Sequence, residues 1–310
     1  MPYIRGALFA YFFAALGMYY NMKRKRTVRI IIIVAAAVMA LLLLWEKKAE
    51  KDAHFTPPYP MEDLNPFLEK DILTKEDYTL LFWQTGLGKA AVSELWEKKR
   101  QQELLNIQRF FFKEVSVKCE YNTIISREES LCLQGMEKGM AIPVAEEGDI
   151  LITFNCHVYG WRVGHAGLVV NAENGQVLEA RVLGSDSAIL SLSHWQEYPS
   201  FALLRLKDAA PEERKRIAES AKERLLGVPY RLSAGIWGDK GTYCSRLVWS
   251  AFWHFGYDLD SDGGKIVTPT DLFHSPLLEV VQMYGMNPAD FLDKYERSVK
   301  SMNSFGRGLK

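Results

Sequence analysis

A long apolar run, a stretch with helical spacing and a series of short strand-like runs follow one another along this 310-residue chain. The run at residues 30–45 contains no polar side chain. As a helix at about 1.5 Å per residue it would be about 24 Å long, close to the thickness of a hydrocarbon core. We therefore predict a single transmembrane anchor at residues 28–45.

Basic residues are concentrated on one side of this run. Residues 1–45 carry six Lys and Arg and no acidic residue, and residues 23–26 (KRKR) directly precede the apolar segment. The positive-inside rule then predicts a cytoplasmic N-terminus at residues 1–27 and places everything after Trp45 outside the cytoplasm. A cleaved signal peptide is the alternative, but no small-x-small cleavage site follows the run. We interpret residues 1–21 as an over-extended gene start, with Met22 as the other candidate start.

The two segments that follow the apolar run differ in their predicted structure. Residues 46–68 include four prolines and predict a stiff linker between membrane and domain. Residues 69–144 predict a helical region, in which Thr74 and Asp77 form a capping signature and residues 90–110 form one long amphipathic helix.

Short apolar runs bounded by turns dominate the following part, residues 145–280. Strands followed by helices predict an α+β domain, with a small antiparallel sheet or half-barrel packed on helices. We expect a C-terminal helix and tail at 281–310. The predicted strands are 148–154, 165–170, 176–182 and 201–206, and the predicted helices are 211–226 and one that begins at Cys244.

Composition narrows the function classes. The chain is 48% hydrophobic and 25% charged, with 38 Lys and Arg against 38 Asp and Glu, which is ordinary for a globular protein and gives no support to nucleic-acid binding. Its four cysteines show no CxxC pair and no zinc spacing, so we predict no metal and no cofactor. Cys119 and Cys132 could form a disulfide outside the cytoplasm, or each could be a small buried thiol.

A cysteine thiol and a histidine imidazole are the candidate catalytic groups. Cys244 begins an apolar helical stripe, and Thr242 as N-cap would place it in the first turn, where backbone N–H groups favour a thiolate. His165 begins an apolar strand and is followed by two small residues. The simpler alternatives are a core cysteine and a core histidine. His157 is a second candidate base beside Cys156, but a metal site made from these residues would lack a further ligand.

The motifs around these residues resemble those of a known family. Residues 225–230 (LLGVPY), a Gly-rich loop and residues 243–248 (YCSRLV) resemble the nucleophile half of the NlpC-type papain-like cysteine peptidases. Residues 148–151 (GDIL), 164–169 (GHAGLV) and 177–180 (VLEA) resemble the strand half, which here comes first. This order, together with residues 268–272 (TPTDL), is similar to the circularly permuted, YiiX-like amidases.

The resemblance implies a role for individual residues. Cys244 matches the nucleophile, His165 the general base and Glu179 the polar residue that orients the imidazole. Tyr230 matches the tyrosine that helps to stabilise the oxyanion, and Tyr243 replaces an aspartate of the standard branch as a candidate substrate contact. Hairpin geometry argues against this role for Glu179. A two-residue turn at 174–175 would place Glu179 on the sheet face opposite His165 unless the strand contains a bulge.

The resemblance implies a permuted papain-like catalytic domain at 145–280 that cleaves an amide through a cysteine acyl-enzyme. We expect a membrane-anchored, extracytoplasmic hydrolase that acts on cell-wall peptide or another amide or ester. A non-catalytic binding module on the same fold is one alternative. A lipid acyltransferase or esterase is another, although the Asn-Cys-Glu-His stretch of lecithin:retinol-type acyltransferases is missing.

Overall fold

The computed structural model describes residues 30–34, 36–37, 53–123, 126–133, 139–158, 160–234 and 240–291. The chain divides into two compact units, residues 1–51 and residues 52–310. Of the first unit only 30–34 and 36–37 are described, and they are helical. No helix among the described residues is both long and apolar enough to cross a membrane. Most of the predicted anchor at 28–45 and all of segment 1–27 lie outside the described residues.

In the second unit, helices come first and antiparallel strands follow, with further helices before the last strand. The helices are α1 (Asn65–Leu68), α2 (Lys75–Thr85), α3 (Lys89–Glu97), α4 (Glu103–Phe111), a 3₁₀ helix (Leu192–Glu197), α5 (Pro211–Leu225), α6 (Cys244–Trp253) and α7 (Pro269–His274). The strands are β1 (Val117–Tyr121), β2 (Ser126–Leu131), β3 (Ile150–Thr153), β4 (Cys156–Val158), β5 (Trp161–Arg162), β6 (His165–Asn171), β7 (Gln176–Glu179), β8 (Ala188–Ser191), β9 (Phe201–Leu206) and β10 (Leu278–Tyr284).

A six-stranded sheet in the order β10-β9-β3-β6-β7-β8 separates two hydrophobic cores. Neighbouring side chains of a strand point to opposite faces of a sheet. Leu151 and Leu203 accordingly belong to the core shared with α2–α4, whereas Ile150 and Leu204 belong to the core shared with α5 and α6. Helices and antiparallel sheets combine as expected for an α+β protein, and the arrangement is consistent with a permuted papain-like fold.

A second, four-stranded sheet joins the N-terminal half to the rest. Its order is β1-β2-β4-β5, and β2 pairs with β4 so that Glu128 lies opposite Cys156. The next residue, Glu129, is fully buried and accepts hydrogen bonds from Asn155 Nδ2 at 3.0 Å and from His157 Nε2 at 2.7 Å. Hydrogen-bonded polar side chains therefore hold the β1–β2 hairpin against the segment that leads to β6.

Several predicted elements differ from the structure. The long helix expected at 90–110 is two helices, α3 and α4, because the chain turns at Lys99, which has a left-handed φ of 54°. The helix expected at 281–310 is contradicted for its first residues, since β10 extends along β9 to Tyr284 and its β-branched residues suit a strand. The part of that segment after residue 291 lies outside the described residues.

The expected linker also differs over its second half. Ala53 and Leu64 are buried, and the Phe55 N–H donates to the Gly285 carbonyl at 2.9 Å. Residues 53–68 thus pack onto the domain. The region expected to be helical at 69–144 contains helices only as far as Phe111, and strands β1 and β2 follow. Its helices share a core with the six-stranded sheet, because Leu81 and Leu151 lie in one apolar cluster. Residues 46–52 of the linker lie outside the description.

Neither cysteine of the first hairpin, Cys119 or Cys132, is in a disulfide. Cys119 lies opposite Glu129, and the Cys132 N–H donates to the carbonyl of Ser116. Three residues therefore separate Cys119 from the position opposite Cys132, about 10 Å at about 3.3 Å per residue. A disulfide needs Cα atoms within about 7 Å, so the register excludes this pairing. Both thiols are half-buried.

One ion pair is buried beneath the sheet. Arg205 donates from Nε and Nη2 to the two carboxylate oxygens of Asp149, both at 2.7 Å, and Nη2 also donates to the Val144 carbonyl at 3.0 Å. Asp149 has no exposed surface. A bidentate pair of this kind offsets part of the desolvation of both charges, although burial still raises the pKa of Asp149 to about 6, and removing one partner leaves the other charge buried.

We predict that Asp149→Ala lowers the free energy of unfolding by about 3 kcal/mol or more, because Arg205 keeps only weaker partners. Urea unfolding followed by tryptophan fluorescence measures this change. Glu103→Ala is the matched control, since it breaks the half-exposed pair with Arg100 and should cost below about 1 kcal/mol. Equal losses in the two variants would contradict the assigned importance of the buried pair.

Candidate active site

The first residue of β6 and the first residue of α6 meet at the candidate site. His165 is buried, and its side chain hydrogen-bonds with the thiol of Cys244. The Cys244 sulfur also accepts from the backbone N–H groups of Ala166 and Ser245. The N-cap of α6 is Tyr243 in an extended conformation, not Thr242 as the sequence suggested. Cys244 is therefore the first helical residue, one position closer to the helix end.

These contacts oppose the effect of burial on both groups. Burial by itself would raise the pKa of Cys244, but the hydrogen bond and charge of His165 and the two backbone N–H groups outweigh it and lower the pKa. Burial by itself would lower the pKa of His165, but the hydrogen bonds with Cys244 and Glu179 raise it. The pair is thus stabilised as a thiolate beside an imidazolium.

Glu179 completes this arrangement from β7. Its Oε2 lies 2.6 Å from His165 Nε2, which leaves Nδ1 of the ring for the thiol. Burial would raise the pKa of Glu179, but the bond with His165 outweighs burial and lowers the pKa to about 2. The carboxylate is therefore ionised at neutral pH and selects the ring orientation in which Nδ1 faces Cys244.

A β-bulge in β6 explains how Glu179 can lie on the same sheet face as His165. The β6–β7 register shifts between Val169 and Asn171, and Leu168 lies opposite Leu178. Continued by one residue, this register places Glu179 opposite Gly167, on the face of His165 and two residues along the strand. The pairing expected from a two-residue turn is absent, because the extra residue in β6 changes the face that β7 presents.

Gly167 provides the space for this approach. A Cβ at Gly167 would lie 3.0 Å from Cγ of Glu179 and 3.1 Å from the indole of Trp195. These separations are tighter than most Cβ contacts, and Cγ1 of Val177 would lie at only 2.7 Å, so a larger residue would displace the side chains around His165.

Trp195 and His194, in the 3₁₀ helix, hold the second carboxylate oxygen. Trp195 Nε1–H donates to Glu179 Oε1 at 2.9 Å, and His194 Nε2 lies 3.4 Å from the same oxygen. The Trp195 ring also stacks on the His165 ring, with centroids 5.5 Å apart and planes 16° apart. Sequence reasoning missed both residues, because they lie in a polar segment without a recognisable motif.

The two tyrosines have different environments. Tyr230 is half-buried, and burial followed by the nearby Cys244 thiolate raises its pKa, so its hydroxyl stays protonated and can donate a hydrogen bond. As the first residue of a helix, Cys244 has a backbone N–H without an acceptor inside that helix. Both donors suit an oxyanion. The Tyr243 hydroxyl accepts from the Val267 N–H at 3.2 Å, and its role as a substrate contact stays a prediction.

The other candidate base belongs to a separate group. His157 bonds to Glu129 in the four-stranded sheet, and burial raises the pKa of the neighbouring Cys156 thiol. In the described part of the chain, these residues do not form a ligand set with His165. The group with metal-like spacing there is Asp260, Asp262 and Asp271, whose ligand oxygens lie within 4.8 Å of one another. The Gly-rich loop before Cys244 includes residues 235–239, which are outside the description.

Comparison with known proteins agrees with this geometry. Residues 150–294 match a family described as permuted papain-like amidase enzyme, YaeF/YiiX, C92 family. The matched segment covers a little less than half of the chain. The amidase segment contains Cys244, His165 and Glu179, whereas β1, β2 and helices α1–α4 precede it.

One solved structure is also similar. It is the crystal structure of the metalloprotein yiiX from Escherichia coli O157:H7, with 19% sequence identity and a TM-score of 0.38. The alignment covers 45% of this chain and 98% of that chain. None of the curated proteins compared with this chain matches it.

We predict that Trp195→Phe lowers the alkylation rate of Cys244 by iodoacetamide at pH 6 about three- to tenfold. Phenylalanine keeps an aromatic ring beside His165 but removes the N–H bonded to Glu179, a bond that we take to contribute about 1 kcal/mol. Because the pKa of Cys244 is lowered, its thiolate persists at a pH where an ordinary thiol is protonated.

The measurement is the alkylation rate as a function of pH, with the modified cysteine identified by mass spectrometry. The acid limb of the profile should move to higher pH in Trp195→Phe, since a less firmly held Glu179 supports the imidazolium less well. Trp83→Phe, in α2, is the control and should leave the limb unchanged. A parallel loss of rate at every pH would indicate only general damage to the fold.

Proposed function

We propose that Cys244, His165 and Glu179 hydrolyse an amide bond through a covalent thioester. The Cys244 thiolate attacks the carbonyl carbon, and the imidazolium of His165 donates its proton to the departing amine. Water then attacks the thioester, with neutral His165 as general base, and releases the acid and the thiol. Glu179 remains ionised and keeps the ring oriented in both steps.

One observation carries this proposal. The Cys244 sulfur lies at a helix N-terminus, accepts two backbone N–H groups and bonds to a histidine that is itself held by a buried carboxylate. A structural cysteine has no need of these three stabilising contacts, which together favour the nucleophilic thiolate. The hydroxyl of Tyr230 and the Cys244 N–H provide donors for the tetrahedral oxyanion.

Turnover should require the thiol itself. We expect Cys244→Ala to reduce hydrolysis of amide substrates, including purified cell-wall peptides, to the uncatalysed background. Glu179→Gln should keep a residual rate roughly 10² below that of the unmodified protein, since general acid–base assistance contributes about 10²- to 10⁴-fold.

Product formation is measured by mass spectrometry, with circular dichroism to verify folding. Cys132→Ala removes a half-buried thiol directly after β2. It is the matched control, and we expect it to keep full activity. If folded Cys244→Ala retained turnover, the acyl-enzyme route would be wrong. If the unmodified protein bound these peptides without cleaving any of them, the binding-module alternative would replace it.

We further propose that this chemistry takes place outside the cytoplasm, on a domain anchored by residues 28–45, and that the amide belongs to cell-wall peptide. The support is the apolar run at 30–45 and the excess of basic residues before it. The resemblance of the motifs to NlpC-type peptidases favours a cell-wall substrate over a lipid.

Protease added to intact protoplasts should therefore cleave between the anchor and about residue 53, release the domain and leave a small membrane-bound fragment. The domain should appear in the medium as a resistant core, because it is compact from residue 53 onwards. A cytoplasmic protein in the same cells is the control for lysis. Complete protection until lysis would show that the topology is the reverse of the proposed one.

A further inference from the structure

Arg181 and Glu128 form an ion pair beside the catalytic residues. Arg181 Nη2 donates to Glu128 Oε2 at 2.7 Å. The Arg181 side chain is 34% exposed, whereas that of Glu128 is 12% exposed. The guanidinium is thus the member of the pair that a substrate can meet, and the carboxylate is the member that holds it.

The pair lies next to the site through a short series of contacts. The thiol of Cys156 lies 3.8 Å from Glu128 Oε1, and the Cys156 carbonyl accepts the Gly164 N–H at 3.0 Å, directly before His165. Arg181 follows Glu179, the last residue of β7, by two residues, and the charge of Glu179 acts on its guanidinium.

Glu128 stays charged in this position. Burial would raise its pKa, but the hydrogen bond and the charge of Arg181 outweigh burial and lower it. Within the described residues, the guanidinium bonds to this carboxylate through Nη2 alone, and its Nε has no partner. A guanidinium carries five donors in a planar fork, so one monodentate bond leaves capacity for a second carboxylate.

We propose that Arg181 is a specificity-determining residue that binds a carboxylate of the substrate close to the scissile amide, with Glu128 as its positioning residue. This inference rests on the proposed amide hydrolysis at Cys244. It gives the N-terminal hairpin a function, because Glu128 belongs to β2, which precedes the family-matched residues 150–294. The substrate class is an amide whose neighbouring residue has a free carboxylate.

Two alkylating reagents of similar size test this charge directly. Iodoacetate carries a carboxylate beside its reactive carbon, whereas iodoacetamide carries a neutral amide in the same place. The ratio of their rates at Cys244 reports the electrostatic environment of an incoming carboxylate and needs no knowledge of the natural substrate. The imidazolium of His165 attracts iodoacetate in every variant, so differences in the ratio between variants report the effect of the Arg181–Glu128 pair alone.

In Arg181→Gln we expect the iodoacetate to iodoacetamide ratio to fall roughly five- to tenfold at low salt. In Glu128→Gln the ratio should rise about threefold, because the guanidinium loses its neutralising partner. Arg181→Lys should stay near the unmodified value, since it keeps the charge. Arg109→Gln, at an exposed position of α4, is the matched control for loss of an arginine.

Opposite shifts in Arg181→Gln and Glu128→Gln, with rescue by Arg181→Lys, would support the proposal, because a purely structural role cannot give opposite signs. A normal iodoacetamide rate with an unchanged ratio in Arg181→Gln would overturn the role of Arg181 and leave the thiol chemistry intact. Equal loss of both rates in Arg181→Gln and Arg181→Lys would make the pair structural only. Failure of the unmodified Cys244 to react with either reagent would overturn both proposals.

Discussion

The close approach of Glu179 to His165 across Gly167 is the constraint on which the site depends. A carboxylate can orient the imidazole only if β7 presents it on the correct face and nothing fills the space between the strands. The bulge after Val169 provides the first condition, and the missing side chain of Gly167 provides the second. Trp195 then occupies the rest of that space and bonds to the carboxylate from the other side.

This geometry lets a buried site hold several charges at once. Desolvation opposes each ionised group, and in this site each charge has a partner at hydrogen-bond distance: the thiolate with the imidazolium, and the imidazolium with Glu179. The same principle applies below the sheet at Asp149 and Arg205. The two clusters differ, because the first includes the half-buried sulfur of Cys244 at a helix N-terminus, whereas the carboxylate of Asp149 in the second has no exposed surface.

The segment before residue 150 is part of the same folded body. It supplies one hydrophobic core of the central sheet through α2–α4, and it supplies a hairpin whose acidic residues face in different directions. Glu129 anchors β4 from within, whereas Glu128 extends towards Arg181 and the site. Neighbouring residues on a strand point to opposite faces, so a single hairpin can both stabilise the fold and shape the cleft.

The sequence predicted those features that depend on local pattern. The strands predicted at 148–154, 165–170 and 201–206 and the helix predicted from Pro211 are present with small differences in their ends, because apolar periodicity and helix-start signals are local. The pairing of Cys244 with His165 was predicted from the family resemblance and not from local pattern. The capping box at Thr74 and Asp77 is present as predicted. The motifs around these elements also pointed to the permuted amidases.

Only the tertiary structure decided the features that depend on register and on distant contacts. A one-residue bulge in β6 determines whether Glu179 faces His165, and the pattern of apolar residues is the same with or without it. Trp195, Glu128 and Arg181 reach the site from separate segments, and β10 becomes a strand because β9 offers it a free edge. Local sequence determined which groups could react, and long-range packing determined which of them meet.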